Sequence, residues 1–174
     1  MPTFDADYMA RRMFISWRAP IVAAAIVEVL DPKVAIDVGC ATGDIVAGLV
    51  DLGVDAWGTD SSKASMSMVP TGKRIITDAT VPWIPAHKFG LAICFEVFSI
   101  LPEVKRDAVL QNLTTVANTI LANHIDLAPG RGRIMEDWAL DVVATDRFRE
   151  ILEPWIKKQA IKAIARTAQV WRRN

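Results

Sequence analysis

Cysteine is scarce in this chain of 174 residues, where only Cys40 and Cys94 occur. That argues against a disulfide framework and against a cysteine-based metal centre, so no metal site is expected. Both fall in or beside apolar, strand-like stretches, as free thiols in a reducing compartment do. An excess of either charge is lacking too. Lys and Arg together number 20, as do Asp and Glu, so the overall balance does not indicate nucleic acid. No apolar run approaches the roughly 20 residues that a bilayer needs. The longest, Ala19 to Leu30, also contains Glu28. No secretory signal is expected either, since Asp5 and Asp7 precede any apolar run. These absences point to a soluble, cytoplasmic protein. There is no internal repeat and no low-complexity segment. With 52% hydrophobic and 23% charged residues, the chain can build one domain over 1–174 with a core of its own.

What is present begins with Val34 to Asp60. An apolar run, Val34 to Val38, is long enough for a buried strand. It breaks at Gly39-Cys40-Ala41-Thr42-Gly43. Ile45, Val46, Leu49, Val50 and Leu52 then recur at helical spacing, and Gly53 ends the helix. Val54 to Thr59 reads as a second strand with Asp60 at its tip. Strand, glycine turn, helix, strand and acid open a nucleotide-binding α/β fold. Gly39 and Gly43 let the backbone turn sharply and approach a ligand. The helix start offers N–H groups to an anion. Asp60 follows Asp37 by about 20 residues, the interval at which dinucleotide sites place an acid on the ribose hydroxyls.

This stretch resembles the cofactor motif of the class I S-adenosylmethionine-dependent methyltransferases, acid-x-Gly-x-Gly-x-Gly. Here it stands as Asp37-Val38-Gly39-Cys40-Ala41-Thr42-Gly43, with Ala41 for the middle glycine. The dehydrogenase fingerprint G-x-G-x-x-G fits less well, because position 41 holds no glycine. Phe89, Leu91, Glu96, Val97 and the tail Leu101-Pro102-Glu103 are similar to the family's fourth strand and the loop after it. Gly90 replaces the usual Asp, and Ser99-Ile100 the usual Glu-His. There is no Asn-Pro-Pro-Tyr and no Pro-Cys of the nucleobase-modifying enzymes.

The resemblance implies a Rossmann-like, doubly wound α/β domain. Its seven-stranded sheet is mostly parallel with an antiparallel last strand, and helices cover both faces. Residues 1–30 would form an N-terminal helical cover and 31–174 the core. The implied cofactor is S-adenosylmethionine, held by Asp37, Gly39, Cys40, Ala41, Gly43, Asp60, Ser61, Asp78, Ala79 and Glu96. Asp78-Ala79 would meet the adenine; the alternative for Asp78 is a turn acid. Tyr8 would close the site, and Arg11, Arg12 or Arg18 would meet the methionine carboxylate; the alternative for each arginine is a solvated helix position.

Elsewhere the sequence predicts one or two helices over Tyr8 to Leu30, where Pro20 suits the first turn of a new helix and would interrupt a continuous one, and a short helix after Ser61-Ser62, capped by one of those serines. Val81 to Pro85 is a rigid apolar loop. A helix is expected over Val104 to Ala117 and a strand over Thr119 to Asp126, with His124 near its end. Ala139 to Val143 reads as a strand. One long helix from Arg147 to about Ala165 is expected, capped at Thr145-Asp146 and bent at Pro154. Thr167 to Arg172 reads as an edge strand. Residues 157–174 carry Lys157, Lys158, Lys162, Arg166, Arg172 and Arg173 and no acid. Such a segment suits phosphates, an anionic surface, or plain solvation.

The function these features imply is methyl transfer from S-adenosylmethionine to an acceptor; small molecule, sugar, protein and nucleic acid are all open, with a small molecule or glycan preferred for want of a nucleic-acid motif. Glu96 and His124 are the candidate catalytic residues. Two other readings stay open: a binding protein of the same fold that transfers no methyl group, and an NAD-dependent oxidoreductase. Both a monomer and a homodimer are compatible with the sequence.

Overall fold

A computed structural model describes residues 16–86, 88–125 and 135–174. A short 3-10 turn, Ser16–Arg18, leads into α1, Ala19–Leu30, with Pro20 in its first turn. Then come β1 (Val34–Val38), α2 (Asp44–Asp51), β2 (Asp55–Asp60) and β3 (Arg74–Ile76). Next are β4 (Phe89–Cys94), the single turn α3 (Val97–Ile100), α4 (Glu103–Val116) and β5 (Ala117–Asn123). The chain closes with β6 (Trp138–Leu140), α5 (Val142–Leu152), α6 (Gln159–Thr167) and β7 (Ala168–Arg173).

The strands form one sheet in the order β3-β2-β1-β4-β5-β7-β6. Neighbours from β3 through β5 run parallel, and β7 is antiparallel to both β5 and β6. This is the expected Rossmann-like architecture. The central strands are short apolar runs because both of their faces are covered. Alternate residues go to opposite layers. Ala35, Leu91, Ile93 and Leu121 pack with α1, α2, α5 and α6, around Ile26, Leu49, Phe148 and Ile164. Ile36, Val38, Ala92 and Ile120 pack on the other face against Leu110, Leu113 and Val116 of α4. The strand order reverses between β1 and β4, and all the parallel strands end on one edge there. That edge is where open α/β sheets bind ligands.

Four sequence expectations are corrected. No helix follows Ser61-Ser62; residues 61–70 form turns that pack Met66 and Val69 into the core. The long C-terminal helix is two helices joined by a 3-10 turn, Glu153–Trp155, with Pro154 inside it. The cap of the first is Asp141, which accepts from Ala144 N–H, rather than Thr145 or Asp146. Thr145 is buried and its hydroxyl accepts from Val170 N–H at 2.9 Å. Lastly, β7 lies inside the sheet, and β6, which stops at Leu140, forms that edge.

Candidate cofactor site

The site is built where β1 and β4 end. Gly39 and Gly43 have φ of 77° and 83°, a left-handed backbone that glycine adopts without steric cost. Close packing also requires Gly39: an added Cβ would lie 2.4 Å from Val97 Cγ2. The turn after β1 is thereby pressed against the turn after β4. At Gly43 the same atom would meet Val69 Cγ2 at 2.2 Å. Ala41, at the position of the middle glycine, is also left-handed, with φ of 50°. Its substitution therefore keeps the turn but adds strain on the order of 1–2 kcal/mol.

Asp60 ties the second strand to this turn. Its Oδ2 accepts from Ala41 N–H at 3.0 Å and its Oδ1 from Ser62 N–H at 2.9 Å; the Ser65 hydroxyl is shared between Ser62 O at 2.7 Å and Oδ1 at 3.3 Å. Gly39 and Cys40 N–H both donate to Thr59 O, so the glycine turn leans over the tip of β2. Next to it lies a hollow lined by Arg18, Asp37, Gly39, Cys40, Asp44, Ile45 and Phe95. Arg18 and Asp37 are buried, which puts both signs of charge at the switch point. Burial pushes the Cys94 thiol up, and the Asp37 carboxylate adds to this, so Cys94 is an inert core thiol.

On the other side of the switch point, Glu96 and His124 follow β4 and β5. Both are left-handed, with φ of 65° and 58°. Strained backbone of this kind collects at functional sites. Between them stands Asn123, fully buried at the end of β5. Its Oδ1 accepts from Glu96 N–H at 2.7 Å, and its amide donates to Glu96 Oε1. His124 Nε2 lies 4.0 Å from that same Oε1. Sequence reasoning missed Asn123; the signal was a polar residue at the end of the apolar run Thr119 to Ala122.

No protein-family model matches the chain. No curated protein matches it at a significant level. Solved structures do. A TehB-like S-adenosylmethionine-dependent methyltransferase from Corynebacterium glutamicum aligns with a TM-score of 0.61 at 20% identity, over 78% of this chain and 83% of its own. The magnesium protoporphyrin IX methyltransferase of Synechocystis, with bound S-adenosylmethionine, gives 0.56 at 15% identity over 78% and 76%. A sugar N-methyltransferase from Streptoalloteichus gives 0.55 at 17% over 74% and 56%. The fold is that of the class I S-adenosylmethionine-dependent methyltransferases.

On this methyltransferase fold, Asp37, Gly39, Cys40, Ala41, Gly43, Asp60 and Glu96 all gather at one edge of the sheet. Asp78 and Ala79 follow β3 on the same edge, where Thr77 N–H donates to Asp60 O. Asp78 Oδ1 accepts from the backbone N–H and the hydroxyl of Thr80, both at 2.8 Å. The Thr80 backbone N–H holds its carboxyl below the usual range; partial burial opposes this, and the Thr80 hydroxyl and Lys105 add to it. Asp78 is therefore at least a turn acid. Asn112 of α4 fixes the segment by donating to Ala79 O and Val81 O. Ser61 is exposed beside Asp60, while the serines that hydrogen-bond to that carboxylate are Ser62 and Ser65. Tyr8, Arg11, Arg12, His87 and Asp126 lie outside the described residues. Of the three candidate arginines, Arg18 is the one described at the hollow.

Proposed function

We propose that this protein binds S-adenosylmethionine along the Gly39–Gly43 turn and the adjoining Asp60 and transfers its methyl group to an acceptor at the Glu96–His124 rim. One observation carries the reading. At the switch point of a methyltransferase-type sheet, the glycine turn and the acid of the second strand are joined directly, Ala41 N–H to Asp60 Oδ2 at 3.0 Å.

The residues fit that cofactor. Arg18 supplies a cation for an amino-acid carboxylate in the hollow beside Gly39 and Cys40. Asp60 has acceptor lone pairs suited to vicinal ribose hydroxyls. Asp78 and Ala79, at the tip of the neighbouring strand, suit the adenine edge. When bound, the cofactor supplies an electrophilic methyl on a sulfonium. The chain contributes position and shelter, and alignment alone can provide much of the acceleration. Glu96 and His124, side by side at the rim, are suited to take a proton from an O–H or N–H acceptor. A small molecule or glycan is the acceptor class we favour. The structures of this fold named above include a magnesium protoporphyrin IX methyltransferase and a sugar N-methyltransferase, which supports an acceptor of that kind.

A second reading has one observation in its favour: the Glu96 carboxylate is already engaged by the Asn123 amide. On that reading the protein holds the cofactor without transferring the methyl group. Titration calorimetry with S-adenosylmethionine, S-adenosylhomocysteine and NAD tests the shared premise. The first two are expected to bind and NAD not to. Binding of NAD alone would overturn both readings in favour of an oxidoreductase. Turnover of labelled S-adenosylmethionine across a panel of hydroxyl and amine acceptors then separates transfer from mere binding.

A further inference from the structure

We infer that the outer face of α6 is a docking surface for single-stranded nucleic acid. The helix is two-sided. Ile161, Ile164 and Ala165 are buried in the core, while Lys158, Lys162 and Arg166 are exposed at four-residue intervals on the opposite side. Four residues rise about 6 Å, so the three cations form a stripe spanning about 12 Å. Lys157 extends it by one more exposed charge.

These cations have no described carboxylate partner, whereas several cations elsewhere among the described residues do. Lys33 pairs with Asp31, Lys73 with Asp55, Arg147 with Glu28 and Arg172 with Asp141. On α5, the layer next to α6, Asp146 and Glu150 are already engaged by Arg149 and Arg147. The acid nearest in sequence is Glu153. Moreover, the first turn of α6 contains no acid, and Lys158 stands at its N-cap. A helix start favours negative charge, so a cation there opposes helix stability. A face that concentrates positive charge against that preference suits an anionic partner.

The shape of the face chooses the partner. Trp155 is 42% exposed, and its carbonyl accepts from Lys158 N–H at 2.9 Å, which puts this residue at the foot of the stripe. An aromatic platform beside a row of cations suits a strand with phosphates and stacking bases. A bilayer is less well served. An interfacial helix sinks its apolar face into lipid, and the apolar face of α6 is taken by the core. The upper end of the stripe leads to Ala168, which pairs with Asn123 at the end of β5. A strand docked on α6 thus runs toward the Glu96–His124 rim. The surface does not depend on the methyl-transfer reading, whose test is cofactor binding.

The probe is a fluorescein-labelled oligo-dT of about 20 nucleotides, long enough to exceed the ~4–16 nucleotide sites of comparable surfaces. Fluorescence anisotropy is expected to show binding. With three phosphate contacts, log K should fall against log salt with a slope of about −2, roughly a 20-fold loss between about 50 and 200 mM salt. The triple variant Lys158→Glu, Lys162→Glu, Arg166→Glu should abolish binding while its melting temperature and its affinity for S-adenosylhomocysteine stay those of the parent. Trp155→Ala should weaken binding roughly tenfold at constant slope. Three results would overturn the inference. They are no binding by the parent protein, binding that survives the triple substitution, and sedimentation with phosphatidylserine vesicles in place of oligonucleotide binding.

Discussion

Replacing Asp60 by Asn separates the two roles that its carboxylate plays. In the structure Oδ1 serves Ser62 N–H and Ser65 Oγ–H, and Oδ2 serves Ala41 N–H. An amide keeps one oxygen. With that oxygen toward Ser62 and Ser65, its NH2 faces the Ala41 N–H, donor against donor. An unmet donor costs about 1–3 kcal/mol when buried, and Asp60 is only half-buried, so about 1 kcal/mol is expected. For a domain of this size that lowers the melting temperature by about 2–4 °C. The ligand loses more. Hydrogen bonds to a charged group contribute about 1.5–3 kcal/mol, which corresponds to a roughly 10- to 100-fold weaker affinity for S-adenosylhomocysteine. Calorimetry of parent and variant, with thermal melts of each without ligand, measures both quantities. An affinity within threefold of the parent, alongside the expected drop in melting temperature, would refute the ribose assignment. Asp60 would then be only a tie for the loop.

Two further outcomes follow from the packing. Gly39→Ala should destabilise the protein by about 2–5 kcal/mol, combining left-handed backbone strain with overlap on Val97. Val97→Ala in the same chain should recover the overlap part, about 1–3 kcal/mol, in a double-mutant cycle by urea denaturation; additive costs would show that the two turns do not touch. Asp141 caps α5 through Ala144 N–H and meets Arg172 Nε at 2.6 Å, and these contacts hold its carboxyl below the usual range. A lowered folded-state value means stabilisation that is present above about pH 4 and lost as pH falls through the folded value. Asp141→Ala should therefore cost about 0.5–2 kcal/mol at pH 7, and the gap to the parent should narrow toward pH 3; a gap independent of pH would exclude the carboxylate as its source.

The sequence by itself determined the parts that local chemistry decides. The apolar run Val34 to Val38, the glycines at 39 and 43, and the helical spacing after them specify a strand, a turn and a helix. Asp60 at the next strand tip was legible because strand lengths set the interval. The mostly parallel seven-stranded sheet with an antiparallel last strand came from the family resemblance, and its order, β3-β2-β1-β4-β5-β7-β6, from the tertiary structure. Tertiary structure decided the rest. The strain at Ala41 and the contact of Gly39 with Val97 arise only when two distant turns meet, and no local pattern encodes that distance. Asn123 reads as one more residue of an apolar strand until β4 is laid beside β5 and its amide reaches Glu96. Pro154, read as a bend, stands in a 3-10 turn that separates two helices, and Phe148 of the first and Ile164 of the second are buried in the same layer as α1. Short-range propensity is written along the chain, whereas register between strands and pressure between turns exist only after the layers close.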